Sequence, residues 1–257
     1  MTDLERAGLR LEYHHDGAVA QIALNRPERR NAQSPGMWEG LASLGRELPD
    51  TVRVVVLRGE GPSFSAGLDI RAFTPEGIPG EGPALPPGIS RPAMADLIAV
   101  YQEGFRWLRD PRFTTIAVVH GHAIGAGFQL ALSCDLRIAA EDVRFCMKEP
   151  ALGLVPDLTG TKPLVDIVGL PRALDLCLTA RDVYADEARE LGLVEKIVKN
   201  EDLDGAVDEL VTALLKVDAG AARATKALLQ QAPGNSLDDQ CRAEREAQVL
   251  RLVREAE

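Results

Sequence analysis

The spacing of apolar residues changes character about halfway along the chain. Up to residue 140 it consists of short, continuous apolar runs set between turn residues and longer amphipathic stretches. Residues 9–14 and 17–24 read as a hairpin turned at Asp16-Gly17, a pair that tolerates the left-handed backbone of a tight turn. A helix at 35–48 follows, then a strand at 52–58, Val-Arg-Val-Val-Val-Leu-Arg. A helix at 93–109 leads to a strand at 115–120, and a short helix at 127–133 precedes a strand at 136–140. Strands this uniformly apolar belong to a sheet covered by helices on both faces, which is the α/β class.

Beyond residue 160 the period is helical, with segments at 161–168, 172–179, 185–191, 203–217, 221–230 and 237–254. Leu210, Leu214, Leu215 and Val217 form one apolar stripe, read as core. One stretch fits neither pattern. Residues 74–92 hold six prolines and four glycines, which excludes a helix or a paired strand and predicts a long, mobile connection.

Two segments carry candidate chemistry: Ser63-Phe-Ser-Ala-Gly-Leu-Asp-Ile70 and His120-Gly-His-Ala-Ile-Gly-Ala-Gly-Phe-Gln129. Each reads as a strand entering a turn of small residues and then a helix. Such a turn exposes backbone N–H groups to a ligand. Two of them aimed at one point stabilise charge developing on a carbonyl oxygen. Three further segments accompany them in order: Leu24-Asn-Arg-Pro-Glu-Arg-Arg-Asn-Ala32, Glu149-Pro-Ala-Leu-Gly-Leu-Val-Pro156 and Leu191-Gly-Leu-Val-Glu195.

Together these segments resemble the crotonase (enoyl-CoA hydratase/isomerase) superfamily over nearly the whole chain. The resemblance implies a spiral of repeated β-β-α units over residues 1–195 that binds acyl-CoA. It implies a helical region over 196–257 that packs between subunits, in a homotrimer or a hexamer built as a dimer of trimers. It places the two oxyanion donors at the N–H groups of Ala66 and Ala126, and the 74–92 connection over the acyl end of the pocket. Family hydratases activate water with two glutamates. Here Glu149 is kept and Gln129 stands in place of the first. An amide can orient water or substrate but cannot exchange a proton near neutral pH. The implied activity is therefore double-bond isomerisation of the Δ3–Δ2 type through Glu149 alone, with slow hydration beside it.

Asp157 matches a position where some relatives carry a nucleophile or second acid/base, which leaves dehalogenase- or lyase-like chemistry as an alternative. On the residues alone Asp157 reads as the cap of the helix that follows. A non-catalytic acyl-CoA-binding protein is a further alternative. For the CoA moiety the resemblance points to Arg29, Arg30, Ser65, Leu68, Asp69, Ile70 and Arg71, with Arg29, Arg30 and Arg71 facing phosphates. Asp69 reads chiefly as a support of its own turn.

The net charge of −10 argues against nucleic acid as a partner. No apolar run is long enough for a membrane span, and the charged first residues lack a signal core, so a cytoplasmic location is expected. Cys134, Cys146, Cys177 and Cys241 include no Cys-x-x-Cys pair and read as buried, reduced thiols. His120 and His122 lack a third ligand at metal-binding spacing. Gly121, Gly125 and Gly127 do not match a dinucleotide-binding fingerprint. No metal and no cofactor are expected, coenzyme A entering only as part of the substrate thioester.

Overall fold

The computed structural model describes residues 2–81, 84 and 86–253. The helices are α1 (Asp3–Arg6), α2 (Pro35–Glu47), α3 (Arg91–Arg106), α4 (Ala126–Ser133), α5 (Thr161–Val168), α6 (Leu170–Thr179), α7 (Ala185–Glu190), α8 (Leu203–Lys216), α9 (Ala219–Gln231) and α10 (Leu237–Leu252). The strands are β1 (Leu9–His14), β2 (Val19–Leu24), β3 (Val54–Gly59), β4 (Thr114–Val119), β5 (His122–Ile124), β6 (Leu136–Ala140), β7 (Arg144–Cys146), β8 (Val183–Tyr184) and β9 (Lys196–Val198).

Six strands form one sheet in the order β1-β2-β3-β4-β6-β9, parallel except for the opening β1–β2 hairpin. A smaller sheet, β5-β7-β8, lies alongside. The chain passes from β4 into β5 and then α4, and from β6 into β7, so successive strand pairs advance as a spiral. Alternation along β3 explains why its run is unbroken. Val55 and Leu57 join the large core with Leu41 of α2 and Phe105 of α3, while Val54 and Val56 join a second core with Val207 and Val211 of α8.

Several details depart from the sequence reading. The hairpin turns at His15-Asp16, both at positive φ (51° and 53°), and the Gly17 N–H returns to the His14 carbonyl at 3.1 Å. That is one residue earlier than the Asp-Gly pair suggests. Val217 is half exposed because α8 ends at Lys216, so the stripe consists of Leu210, Leu214 and Leu215. Cys134 and Cys146 are buried, whereas Cys177 and Cys241 are only partly so. Strand β9 completes the large sheet and α8 covers one of its faces, so a boundary at 195/196 runs through a shared core. The 237–254 helix is seen to Leu252, and residue 254 lies outside the described residues.

Within 74–92, Ile78, Glu81 and Ala84 are tied to the body, whereas Pro86, Pro87 and Gly88 are exposed. Glu81 accepts from the Ser34 hydroxyl at 2.8 Å and the Gly36 N–H at 2.7 Å, at the start of α2. The Ala84 N–H reaches the Ala72 carbonyl at 2.8 Å, and Ile78, Ala84 and Ala72 pack behind Leu68. Residues 82, 83 and 85 of this segment lie outside the described residues.

Candidate active site

The first turn is held by a buried polar network. Phe64 and Ser65 pair beside the β4–β5 connection, their N–H groups reaching the carbonyls of His120 and His122 at 2.8 Å each. The Ser65 hydroxyl donates to the Asn31 carbonyl at 2.8 Å and accepts from Gln33 Nε2 at 3.1 Å and the Gly67 N–H at 3.2 Å. Its hydrogen-bonding capacity is spent inside the turn, so it has none left for CoA. Gly67 has φ +90°, and a Cβ there would stand 2.6 Å from the Ile124 carbonyl oxygen, so only glycine fits.

This network reassigns the first donor. The Ala66 N–H is bonded to the Arg30 carbonyl at 2.8 Å and is not free for an oxyanion. Gly67 then reverses the chain, and Gln33 pairs across the turn, its N–H to the Gly67 carbonyl at 2.7 Å and its carbonyl to the Asp69 N–H at 2.8 Å. The residue between them, Leu68, has an N–H with no partner among the described residues.

A second N–H without a partner among the described residues is that of Ala126. Gly125 adopts φ +52° and ψ −120°, and its N–H is bonded to the Cys146 carbonyl at 2.8 Å. Ala126 opens α4, and a first-turn N–H has no intrahelical acceptor. The place of a Cβ on Gly67 lies 3.7 Å from the Ala126 nitrogen, so the two turns abut.

Glu149 leans over this junction. A Cβ on Gly125 would meet its Oε1 at 3.1 Å and its Oε2 at 3.6 Å. Oε1 accepts from Gln129 Nε2 at 2.7 Å, while Oε2 is shielded from solvent and has no partner among the described residues. Burial raises the Glu149 carboxyl above the usual carboxylate range, and the nearby charge of Asp157 adds to the shift. The hydrogen bond from Gln129 opposes it.

Gln129 is fully buried, and its Oε1 accepts from the N–H groups of Leu158 at 2.9 Å and Gly160 at 3.2 Å. An amide engaged at both ends and closed to solvent does not orient a water, contrary to the expectation from its residue type. Asp157 does not cap α5 either: the N-cap is Gly160, without a side-chain bond. Burial raises the Asp157 carboxyl as well, and its backbone carbonyl accepts from Gln102 Nε2 at 2.7 Å.

The expected CoA-facing residues divide into two groups. Asp69, almost fully buried, is bonded to Arg71 (Nη2 to Oδ2, 2.6 Å) and to Arg26 (3.0 Å), and it accepts from the Arg71 N–H. These cations hold its carboxyl well below the usual range, the Arg71 bond acting most strongly. Asp69 thus supports the turn as expected, and Arg71 is partly neutralised before any phosphate arrives. Arg26, missed by the sequence reading, belongs to this cluster. Arg29 and Arg30 are exposed, and Ile70 is 77% exposed.

His122 Nδ1 bonds the Ser63 hydroxyl at 3.0 Å and His120 Nε2 bonds the Gly61 carbonyl at 2.8 Å, which gives both rings a structural partner. Among the described residues no group of three or more His, Cys, Asp or Glu side chains is placed to hold a metal, and no helix is long and apolar enough to cross a membrane.

Comparison with known proteins identifies the family. The enoyl-CoA hydratase/isomerase family model matches residues 14–252. A Thermobifida fusca YX protein classed with the enoyl-CoA hydratases, crystallised in complex with acetoacetyl-CoA, superposes with a TM-score of 0.93 at 54% identity, covering 97% of this chain and 96% of that one. The Mycobacterium bovis "Probable enoyl-CoA hydratase echA8" is 32% identical over 235 residues, 87% of this chain and 82% of that protein. The peroxisomal Delta(3,5)-Delta(2,4)-dienoyl-CoA isomerase of Arabidopsis thaliana is also 32% identical, over 83% of this chain and 78% of that protein. The chain belongs to the enoyl-CoA hydratase/isomerase family.

Proposed function

We propose that this enzyme binds an acyl-CoA thioester and moves a carbon–carbon double bond along the acyl chain, as in Δ3-to-Δ2 enoyl-CoA isomerisation. In this reading the N–H groups of Leu68 and Ala126 bond the thioester oxygen, and their strength grows as charge moves onto it. Glu149 takes the proton from C2, the C2–H electrons pass through the enolate to that oxygen, and the same carboxyl returns the proton at C4. The observation that carries the reading is Glu149 Oε2, the one solvent-shielded carboxyl oxygen without a partner among the described residues, beside an amide at 129 that cannot act as a base. Burial supports the role, because a raised pKa suits a group that both accepts and donates a proton near neutral pH. Identity of 32% to a hydratase and to an isomerase alike does not choose between them; the amide at 129 supports the isomerase side of this reading.

Arg29 and Arg30 are the exposed cations available for the CoA phosphates. The exposed apolar residues of α10, Leu237, Val249, Leu250 and Leu252, are taken as the surface on which copies pack into the expected trimer or dimer of trimers. A cytoplasmic location belongs to the same reading.

A second reading is favoured by Asp157, a partly buried carboxyl that interacts electrostatically with Glu149 and receives no side-chain hydrogen bond from another described residue. Two acids would move a proton further along a conjugated chain, or serve dehalogenase- or lyase-like chemistry. Assays of a 3-enoyl-CoA, a 3,5-dienoyl-CoA, crotonyl-CoA and an aryl-CoA decide the matter. Isomerisation of the 3-enoyl-CoA that survives Asp157→Asn supports the first reading. Turnover that requires Asp157 supports the second, full-speed hydration of crotonyl-CoA overturns both, and saturable binding without turnover indicates a binding protein.

A further inference from the structure

We infer that Gln129 is a positioning residue: it holds Glu149 by one oxygen, Oε1, and so makes Oε2 the single atom that carries the migrating proton. The inference rests on the reading of Glu149 as the acid/base, but the geometry behind it is independent of the reaction.

The orientation of the Gln129 amide is set by its surroundings. Two backbone N–H groups, from Leu158 and Gly160, converge on one end of it, and that end must be the oxygen. The other end is then the –NH2 group, and it faces Glu149 Oε1 at 2.7 Å as a donor. The side chain has no room to turn away. It is fully buried, and a Cβ on Gly160 would stand 2.5 Å from its Cγ.

The consequence falls on Glu149. The Gln129 N–H bonds a carbonyl oxygen more strongly than a hydroxyl oxygen, so the protonated acid keeps Oε1 as its carbonyl and carries its hydrogen on Oε2. Oε2 is the oxygen without a partner among the described residues; the place of a Cβ on Gly125 lies 3.6 Å from it and 3.1 Å from Oε1, so the whole carboxyl stands beside that turn and only Oε2 is left unbonded there. Both carbons that exchange the proton must therefore be presented to one oxygen, on one face of the enolate. A carboxylate at 129 would change this. Its inner oxygen could still accept from Leu158 and Gly160, but its outer oxygen would meet Glu149 Oε1 at hydrogen-bond distance, and the pair would have to share a proton. In this chain the amide thus excludes a proton-sharing pair, as well as lacking a base of its own.

The test uses the full chain, as wild type, Gln129→Met and Gln129→Glu. The Glu149 carboxyl is titrated by infrared difference spectroscopy, its band assigned with Glu149→Gln, and kcat and KM for a 3-enoyl-CoA are measured across pH. Asp157, Cys146 and Cys177, the other titratable groups that interact with Glu149, are unchanged in all three proteins. In Gln129→Met the Glu149 titration moves to higher pH, because the carboxylate has lost its donor, and kcat falls about tenfold or more with KM within about threefold. In Gln129→Glu the titration moves higher still, while the acceptor for the two backbone N–H groups is kept, so the fold is preserved. A Glu149 titration unmoved by both substitutions, or a change confined to KM, overturns the inference. If the wild type turns over no double-bond substrate, the proposed reaction fails, and the infrared titration still decides the role of Gln129.

Discussion

The carboxyl of Glu149 rests against Gly125, where a Cβ would lie 3.1 Å from Oε1. Gly125 also has a backbone, φ +52° and ψ −120°, that residues with a side chain adopt only under strain. One residue therefore turns the chain into α4, orients the Ala126 amide and leaves room for the acid. Gly125→Ala is expected to destabilise the protein by about 2 kcal/mol and to lower kcat by about tenfold or more, because a displaced carboxyl loses its alignment. Thermal unfolding and isomerisation rates check both parts. A variant with wild-type kcat would show that the contact does not position Glu149.

Glu149 is expected to reduce the stability of the fold at neutral pH. Burial raises its carboxyl in the folded chain, so between the ordinary carboxylate value and the raised one the folded state holds a proton that the unfolded state has released. Stability from this group is then highest at low pH and falls as pH rises through that window. Glu149→Gln removes the titration while Asp157 titrates in both proteins. The variant is expected to melt above wild type near neutral pH, with the difference closing as pH falls below the ordinary carboxylate value. Its turnover is expected to drop by about a thousandfold. Paired melting curves across pH check the sign, and a wild type that stays the more stable at every pH contradicts it.

What the sequence made legible follows from how local each feature is. Strands and helices were readable because Val54 and Val56 face one core while Val55 and Leu57 face the other, and that double burial appears directly as an unbroken apolar run. The free amide of Ala126 was readable because a helix start leaves its first amides without intrahelical acceptors. The free amide of the first turn was not. Whether Ala66 or Leu68 has a free N–H depends on the carbonyls of Arg30 and Gln33, more than thirty residues away in sequence, and on Gly67 reversing the chain. The same holds for Gln129, whose residue type suggests water binding until Leu158 and Gly160 are seen to engage its oxygen. Asp157 looked like a cap because aspartate before a helix usually is one, but α5 begins four residues later.

Ala126 offers a way to remove one of the two proposed oxyanion donors with little effect on the helix. Proline is tolerated at the first helical position, where no intrahelical bond is lost, and the ψ of −120° at Gly125 keeps the preceding residue out of the helical region that proline disfavours. Ala126→Pro is expected to lower kcat/KM about a hundredfold to a thousandfold, as loss of one oxyanion donor does elsewhere. Circular dichroism and thermal unfolding should stay close to wild type. A well-folded Ala126→Pro protein with undiminished kcat/KM would remove this amide from the proposed mechanism.

Helix α9 is attached to the body by polar bonds, since none of its residues is fully buried. Lys226 Nζ donates to the carbonyls of Phe113 at 2.7 Å and Asp110 at 3.0 Å and to Asp135 Oδ2 at 2.6 Å. Arg223 and Gln230 reach further carbonyls, those of Arg112, Asp50 and Arg109. Lys226→Met keeps the aliphatic stem and removes the three bonds, leaving Asp135 with the Thr115 N–H and hydroxyl. The expected cost is about 2 kcal/mol, the order for losing a partly buried charge-assisted cluster. Because the lost bonds are those of one helix to the core, the effect should be local. Amide hydrogen exchange is expected to quicken across α9 while β3 and β4 keep wild-type protection, since a segment docked by few contacts opens without the rest. Equal acceleration in the sheet would mean that Lys226 supports the fold as a whole, and unchanged exchange in α9 would mean that Arg223 and Gln230 suffice to hold the helix.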